Sequence, residues 1–199
     1  AYMQQLEMES NGKRVSRDGA ALERVACGVT WGAAGTNAQH SFFQLLHQGV
    51  GEIPVEFIVN AGPHEGPASH RAKVFANALA QTRALMVGKS AAQARAEMIA
   101  KGVNEADADR LAPHRAFPGN RASTLMAIDA LSPEAIGALL AFYEHRTFVQ
   151  AILAGINPFD QWGVELGKEM ANALLPSLEG GAVSADLDAS TAAWVKRLR

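Results

Sequence analysis

Three short stretches of this chain hold residues whose types and spacing could do chemistry. The first runs from Gln5 to Lys13, where Gln5 and Glu9 are four apart and so would share one face of an α-helix. Glu9 falls in the last turn before Asn11 and Gly12, a pair suited to the left-handed position beyond a helix end. There the helix dipole disfavours a carboxylate's charge. A carboxylate that holds a proton readily suits a general base working near neutral pH. A solvated helix end would carry the same residues.

The second stretch runs from Trp31 to His40. A glycine-bearing turn between a strand and a helix exposes backbone N–H groups and can hold an anion. It would put His40 in the first turns of the helix, at the carboxyl end of a strand, where ligands of open α/β sheets bind. The spacing of Gly32 and Gly35 is neither a dinucleotide fingerprint nor a P-loop. His40 and His47 are seven apart, but no further ligand completes a metal set at usable spacing. A histidine satisfied by local hydrogen bonds fits the same position.

The third runs from Asn157 to Lys168. Asp160 is a natural N-cap. On a helix starting there, Gln161 and Lys168 would lie two turns apart on one face, roughly 10 Å along the axis. Gly163 and Gly167 would let another element approach closely, and Glu165 could pair with Lys168 across a turn. Close packing of helix on sheet explains the glycines equally well.

These residues need elements to position them. Residues 1–10 read as the end of a helix, with 12–22 as a loop. Apolar runs predict strands at Cys27–Trp31, Ile53–Val59 and Ser123–Ile128. Helices are expected over 38–48, capped by Thr36 or Asn37 and ended by Gly49, and over 67–87, 90–100, 133–152 and 159–175. The cluster Tyr143, Glu144, His145 and Arg146 reads as the polar edge of the long fourth helix, at a possible subunit contact. Strands alternating with helices predict an α/β layered fold with a mainly parallel sheet flanked by helices. Three strands are few for five or more helices, which suggests that the fold is incomplete. Residues 1–178 are expected to form one domain portion, and 179–199 a polar link and a C-terminal helical arm. The chain has no initiator Met and opens inside an amphipathic pattern, as a chain starting in mid-fold would.

Composition narrows the partner classes. A net charge of −2 without a clustered basic stripe argues against nucleic acid. No apolar run approaches the roughly 20 residues that span a bilayer. The single cysteine, Cys27, permits no internal disulfide and fits the reducing cytoplasm. In an apolar run without a neighbouring histidine, it reads as a core residue rather than a nucleophile.

Taken together, the three stretches resemble the glucose-6-phosphate isomerase family, a homodimeric family of sugar-isomerase (SIS-type) domains. Phe159 to Lys168 is similar to its C-terminal signature. Gly35-Thr36-Asn37, Gln39-His40, Phe43-Gln44-Leu45 and His47-Gln48-Gly49 resemble its central histidine segment, and Met8 to Lys13 the segment of its catalytic glutamate. The resemblance runs essentially end to end and in the family's order. It departs at Ala33-Ala34, where many relatives have Glu-Pro, and at Ala38, where they have Gly or Ser.

The resemblance implies that Glu9 shuttles a proton between C2 and C1 of a sugar phosphate. It implies that His40 and Lys168 assist ring opening, that Gln5 and Gln161 contact substrate, and that no metal or cofactor takes part. His40 would serve the neighbouring subunit of a homodimer. The reaction implied is interconversion of glucose 6-phosphate and fructose 6-phosphate through an enediolate. An isomerase also accepting mannose 6-phosphate and a non-catalytic sugar-phosphate-binding module are the alternatives. The family's phosphate-gripping Ser/Thr loop and its enediolate-steadying arginine have no counterpart in this sequence, so the 199 residues alone are expected to be inactive.

Overall fold

The computed structural model describes residues 1–63 and 66–199. The chain divides into two compact units, one formed by Ala1–Trp31 with Tyr143–Arg199 and the other by Gly32–Phe142. In chain order the elements are α1 (Tyr2–Gln4), a π-helical turn (Gln5–Glu9), α2 (Gly35–Ala38), α3 (Phe43–Gln48), β1 (Val55–Asn60), α4 (Ala68–Val87), α5 (Ala91–Ala100), α6 (Glu105–Leu111), β2 (Ser123–Ile128), α7 (Pro133–Ala154), α8 (Glu165–Leu178) and α9 (Ala189–Leu198). Two 3₁₀ turns, Pro113–Arg115 and Trp162–Val164, complete them.

The unit Gly32–Phe142 contains the sheet. β1 and β2 pair in parallel, with Val55 opposite Ser123 and Asn60 opposite Ile128. Parallel neighbours need a long crossover, and α4, α5 and α6 supply it. The α/β class is as expected. Ala38, Phe43, Leu46 and Leu85 form the buried cluster, with Phe42, Val55 and Phe57 packed on it. The Phe43 ring meets Phe57 edge-on at 6.2 Å between centroids, a favoured aromatic geometry. A second cluster, Met98, Ala108 and Ala112, joins α5 to α6.

Two details fix the ends of this sheet. Beyond β1, a Cβ on the buried Gly62 would collide with the Asp129 carbonyl just past β2, so the strand exits pass each other only because that side chain is absent. At the other end, the Arg121 guanidinium donates to the carbonyls of Gly49 and Gly51 and ties the entry of β2 to the loop before β1. α5 starts with a reciprocal cap, in which the Gln93 N–H donates to Ser90 Oγ at 3.1 Å and the Ser90 N–H to Gln93 Oε1 at 2.8 Å. Ser90→Ala removes one half of this box and should cost about 1 kcal/mol, read as a lower denaturant midpoint at unchanged slope.

Among the described residues the sheet has two strands, not the three expected. Cys27–Trp31 has no regular secondary structure and carries no ladder, and Val29 and Trp31 are 77% and 52% exposed. An apolar run becomes a strand only when a neighbour accepts its backbone hydrogen bonds, and among the described residues none does. The helix expected over 38–48 is two helices, α2 beginning at Gly35 and α3 ending at Gln48, separated by a turn at 39–42. Thr36 and Asn37 lie inside α2, whose N-cap is Ala34 without a side-chain bond. Gly49 does close α3.

In the unit formed by Ala1–Trp31 and Tyr143–Arg199, the C-terminal part of α7 carries the buried Tyr143, Thr147 and Ala151. α7 ends at Gly155, whose φ of 68° lets the Ile156 N–H reach back to the Ala151 carbonyl at 3.0 Å, as a glycine stop does. α9, capped by Asp188, packs on α8. Among the described residues no helix is long and apolar enough to cross a membrane.

Candidate functional site

Glu9 is the last residue of the π-helical turn Gln5–Glu9. It is half-buried, and its carboxylate has no hydrogen bond or ion pair among the described residues. Its backbone is held more firmly. Lys13 Nζ donates to the carbonyls of Glu9 at 3.1 Å and Ser10 at 2.7 Å, which satisfies groups that a helix end leaves open. The base candidate therefore sits on a fixed backbone with a free side chain.

The helix carrying it is clamped to α7 at three levels. The Tyr2 hydroxyl donates to Glu144 at 2.7 Å, Glu7 pairs with Arg146, and the Asn11 amide donates to the Thr147 carbonyl at 3.0 Å. Tyr2 to Glu7 is five residues and Glu7 to Asn11 four. The π turn lies within this span, and its i→i+5 bonding widens the turn on the way from Tyr2 to Asn11. Glu7 is buried, accepts from the Thr30 hydroxyl at 2.7 Å, and holds a guanidinium that also lies 4.5 Å over the Tyr143 ring. Tyr143 and Arg146 are thus internal to this unit rather than the polar edge that the sequence suggests. Cys27 is half-buried here and its thiol donates to the Glu7 carbonyl at 3.4 Å. Burial, and then the Glu7 charge, push that thiol upward from its ordinary value, the reverse of what a nucleophile needs.

Gln5 is exposed. It opens the π-helical turn that Glu9 closes.

The third stretch is arranged differently from the expected continuous helix. Asp160 caps nothing. Its carboxylate accepts from the Asn157 amide at 2.7 Å and lies 3.7 Å from Lys13 Nζ, while its carbonyl accepts from the same ammonium at 2.7 Å. The chain then turns through Gln161 into the 3₁₀ turn Trp162–Val164, and α8 begins only at Glu165. Gln161 and Lys168 therefore do not share a helix face. Both are exposed, and Lys168 has no ion pair with Glu165.

His40 belongs to the other compact unit. It is exposed in the turn between α2 and α3, its N–H bonded to the Asn37 carbonyl at 3.0 Å. An open cleft of about 450 Å³ on that unit is lined by His47, Gln44, Gln81 and Phe117 among others, not by His40. His47 shares a 2.8 Å hydrogen bond with Gln81 Oε1 and meets the Phe117 ring edge-on, so it is a packed and satisfied histidine.

The structure thus brings Glu9 and the backbone leading to Gln161 together through one lysine. Lys13 and Arg146 fall in stretches that the sequence points to, but the roles they play here are not read from it. A lysine just past a helix end was the available signal for the first. Arg146 gave none, because its partner lies 139 residues away.

The phosphoglucose isomerase family model matches residues 1–195. The chain is 52% identical, over its whole length, to glucose-6-phosphate isomerases of Leptothrix cholodnii and Xanthobacter autotrophicus, of which it covers 38% and 36%. A crystal structure of a glucose-6-phosphate isomerase from Chlamydia trachomatis matches 99% of this chain and 34% of that one, at a TM-score of 0.72 and 38% identity. The chain therefore spans little more than a third of the length of the relatives it matches.

Proposed function

The chain belongs to the phosphoglucose isomerase family, and we propose that the whole protein interconverts glucose 6-phosphate and fructose 6-phosphate. The observation that carries this reading is the 52% identity over the full chain to proteins named for that activity. The geometry of Glu9 supports it chemically. A half-buried carboxylate without a partner, on a pinned backbone, suits proton transfer between adjacent carbons.

In the proposed reaction Glu9 takes the proton from C2 of the open-chain sugar, leaving an enediolate, and returns it to C1. A second proton passes from the C2 hydroxyl to the C1 oxygen, so the carbonyl at C1 becomes a hydroxyl and the hydroxyl at C2 a carbonyl, and the exchange is redox-neutral and needs no cofactor. His40 and Lys168 are proposed to assist ring opening, where a proton must leave the anomeric hydroxyl and reach the ring oxygen. Gln5 and Gln161 are proposed to hold sugar hydroxyls. The lone cysteine fits a reducing compartment, and the proposed place of action is the cytoplasm.

We further propose a homodimer in which His40 acts in the partner's site. His40 lies in a different compact unit from Glu9 and Lys168, which is compatible with that division of labour. Mixing a Glu9→Gln protein with a His40→Ala protein tests it. Acting in trans, each hybrid dimer regains one intact site, and activity should rise well above either parent, toward about half the wild-type rate per hybrid. Acting in cis, no hybrid has an intact site and mixing restores nothing. A failure of both parents and wild type to isomerise either sugar phosphate would remove the function itself.

A further inference from the structure

Lys13 makes more bonds than helix capping requires. Its side chain is only 14% exposed, and its ammonium reaches the carbonyls of Glu9, Ser10 and Asp160 and lies 3.7 Å from the Asp160 carboxylate. The first two acceptors belong to the turn that presents Glu9, and the other two to the residue immediately before Gln161. Asp160 is itself held by the Asn157 amide, whose oxygen accepts from the Phe159 N–H at 3.1 Å. The loop is therefore stiff. One compact charge joins two otherwise separate backbone segments, each of which ends at a site candidate.

The cleft beside His47 is open and its histidine already satisfied, and the Cys27 thiol is occupied with a carbonyl. Lys13 differs in that its acceptors are functional neighbours and its burial makes each bond count.

We infer that Lys13 is a positioning residue for the proton-transfer step: it sets the Glu9 carboxylate against the Gln161 side of the site without touching substrate. The inference rests on the reading of Glu9 as the base. An ammonium is a point donor whose three N–H groups can address three carbonyls at once, and a methionine of similar length addresses none. Losing it frees two backbone segments, and displacing a catalytic group by about 1 Å can slow a step about a hundredfold.

The test uses the protein at the relatives' full length, with glucose 6-phosphate carrying either hydrogen or deuterium at C2. In Lys13→Met, kcat should fall about ten- to a hundredfold with KM within about threefold of wild type. The deuterium effect on kcat should grow, because the misplaced base makes proton transfer more limiting. Unchanged kcat overturns the inference. So does a fall in kcat with an unchanged isotope effect, since a merely structural loss scales every step alike. Should Lys13→Met not fold, Lys13→Arg is read by the same criterion, because its planar fork fits this three-carbonyl site poorly. Glu9→Gln measured alongside separates the two ideas. If Glu9→Gln keeps full turnover, the base reading falls and the inference with it. If Glu9→Gln collapses while Lys13→Met keeps wild-type kcat, the positioning role alone is wrong.

Discussion

Replacing Glu9 by glutamine in the whole protein should lower kcat for isomerisation by about 10²- to 10⁴-fold, the range general-base groups supply, while KM changes little. Glutamine has the same shape and keeps an oxygen for hydrogen bonding, but its amide cannot accept the C2 proton. The substitution is clean because nothing structural depends on the side chain. The Glu9 carboxylate has no partner among the described residues, and the contact that fixes the helix end runs from Lys13 to the Glu9 backbone carbonyl. A coupled assay in both directions measures it, since one base serves both. Retained turnover would exclude Glu9 as the proton carrier, and a large rise in KM with kcat intact would make it a binding group instead.

The largest effect on stability is expected at Arg146. Its guanidinium pairs with Glu7, whose side chain is only 10% exposed. Arg146→Met keeps much of the packing over Tyr143 but leaves the Glu7 carboxylate with the Thr30 hydroxyl as its remaining partner. A buried charge that loses its counter-charge costs about 3–5 kcal/mol, a large share of a domain's total stability. Urea unfolding should show a midpoint far below wild type at a similar slope. Adding Glu7→Gln to Arg146→Met should recover part of the loss, because a neutral amide is cheaper to bury unpaired than a carboxylate. If the double variant is no better than the single, the pair is not what holds this part of the unit together.

Legibility from sequence followed the range of the interactions involved. Long helices and both sheet strands were readable, because hydrophobic periodicity and glycine punctuation are local. Ser123–Ile128 and the start of α7 at Pro133 coincide with the reading, and β1 is displaced by two residues at its start. Cys27–Trp31 misled because an apolar run of five says only that a segment could be covered, not that a neighbouring strand exists to pair with it. The break at 39–42 and the π turn were invisible for a related reason: periodicity assumes a regular helix, and each of these departs from it.

The candidate site was legible as chemistry but not as geometry. Glu9, Gln5, Gln161, His40 and Lys168 stand out by type and by resemblance. That Asp160 would turn toward Lys13 rather than cap a helix depends on a contact spanning 147 residues. No local pattern encodes such a contact.

The π-helical turn also bears on how this segment can vary over time. It accommodates one more residue per turn than an α-helix would, between anchors at Tyr2 on one side and Asn11 on the other. Adding one more residue from Gln5 to Glu9 would exceed what the wide turn absorbs and swing everything beyond it by about 100° around the axis. The Asn11 and Lys13 anchors would then miss their acceptors together. Side chains on the exposed face can drift, but the number of residues cannot grow. Among descendants of this chain, insertions should be absent from Tyr2 to Lys13 even where the residues themselves have changed.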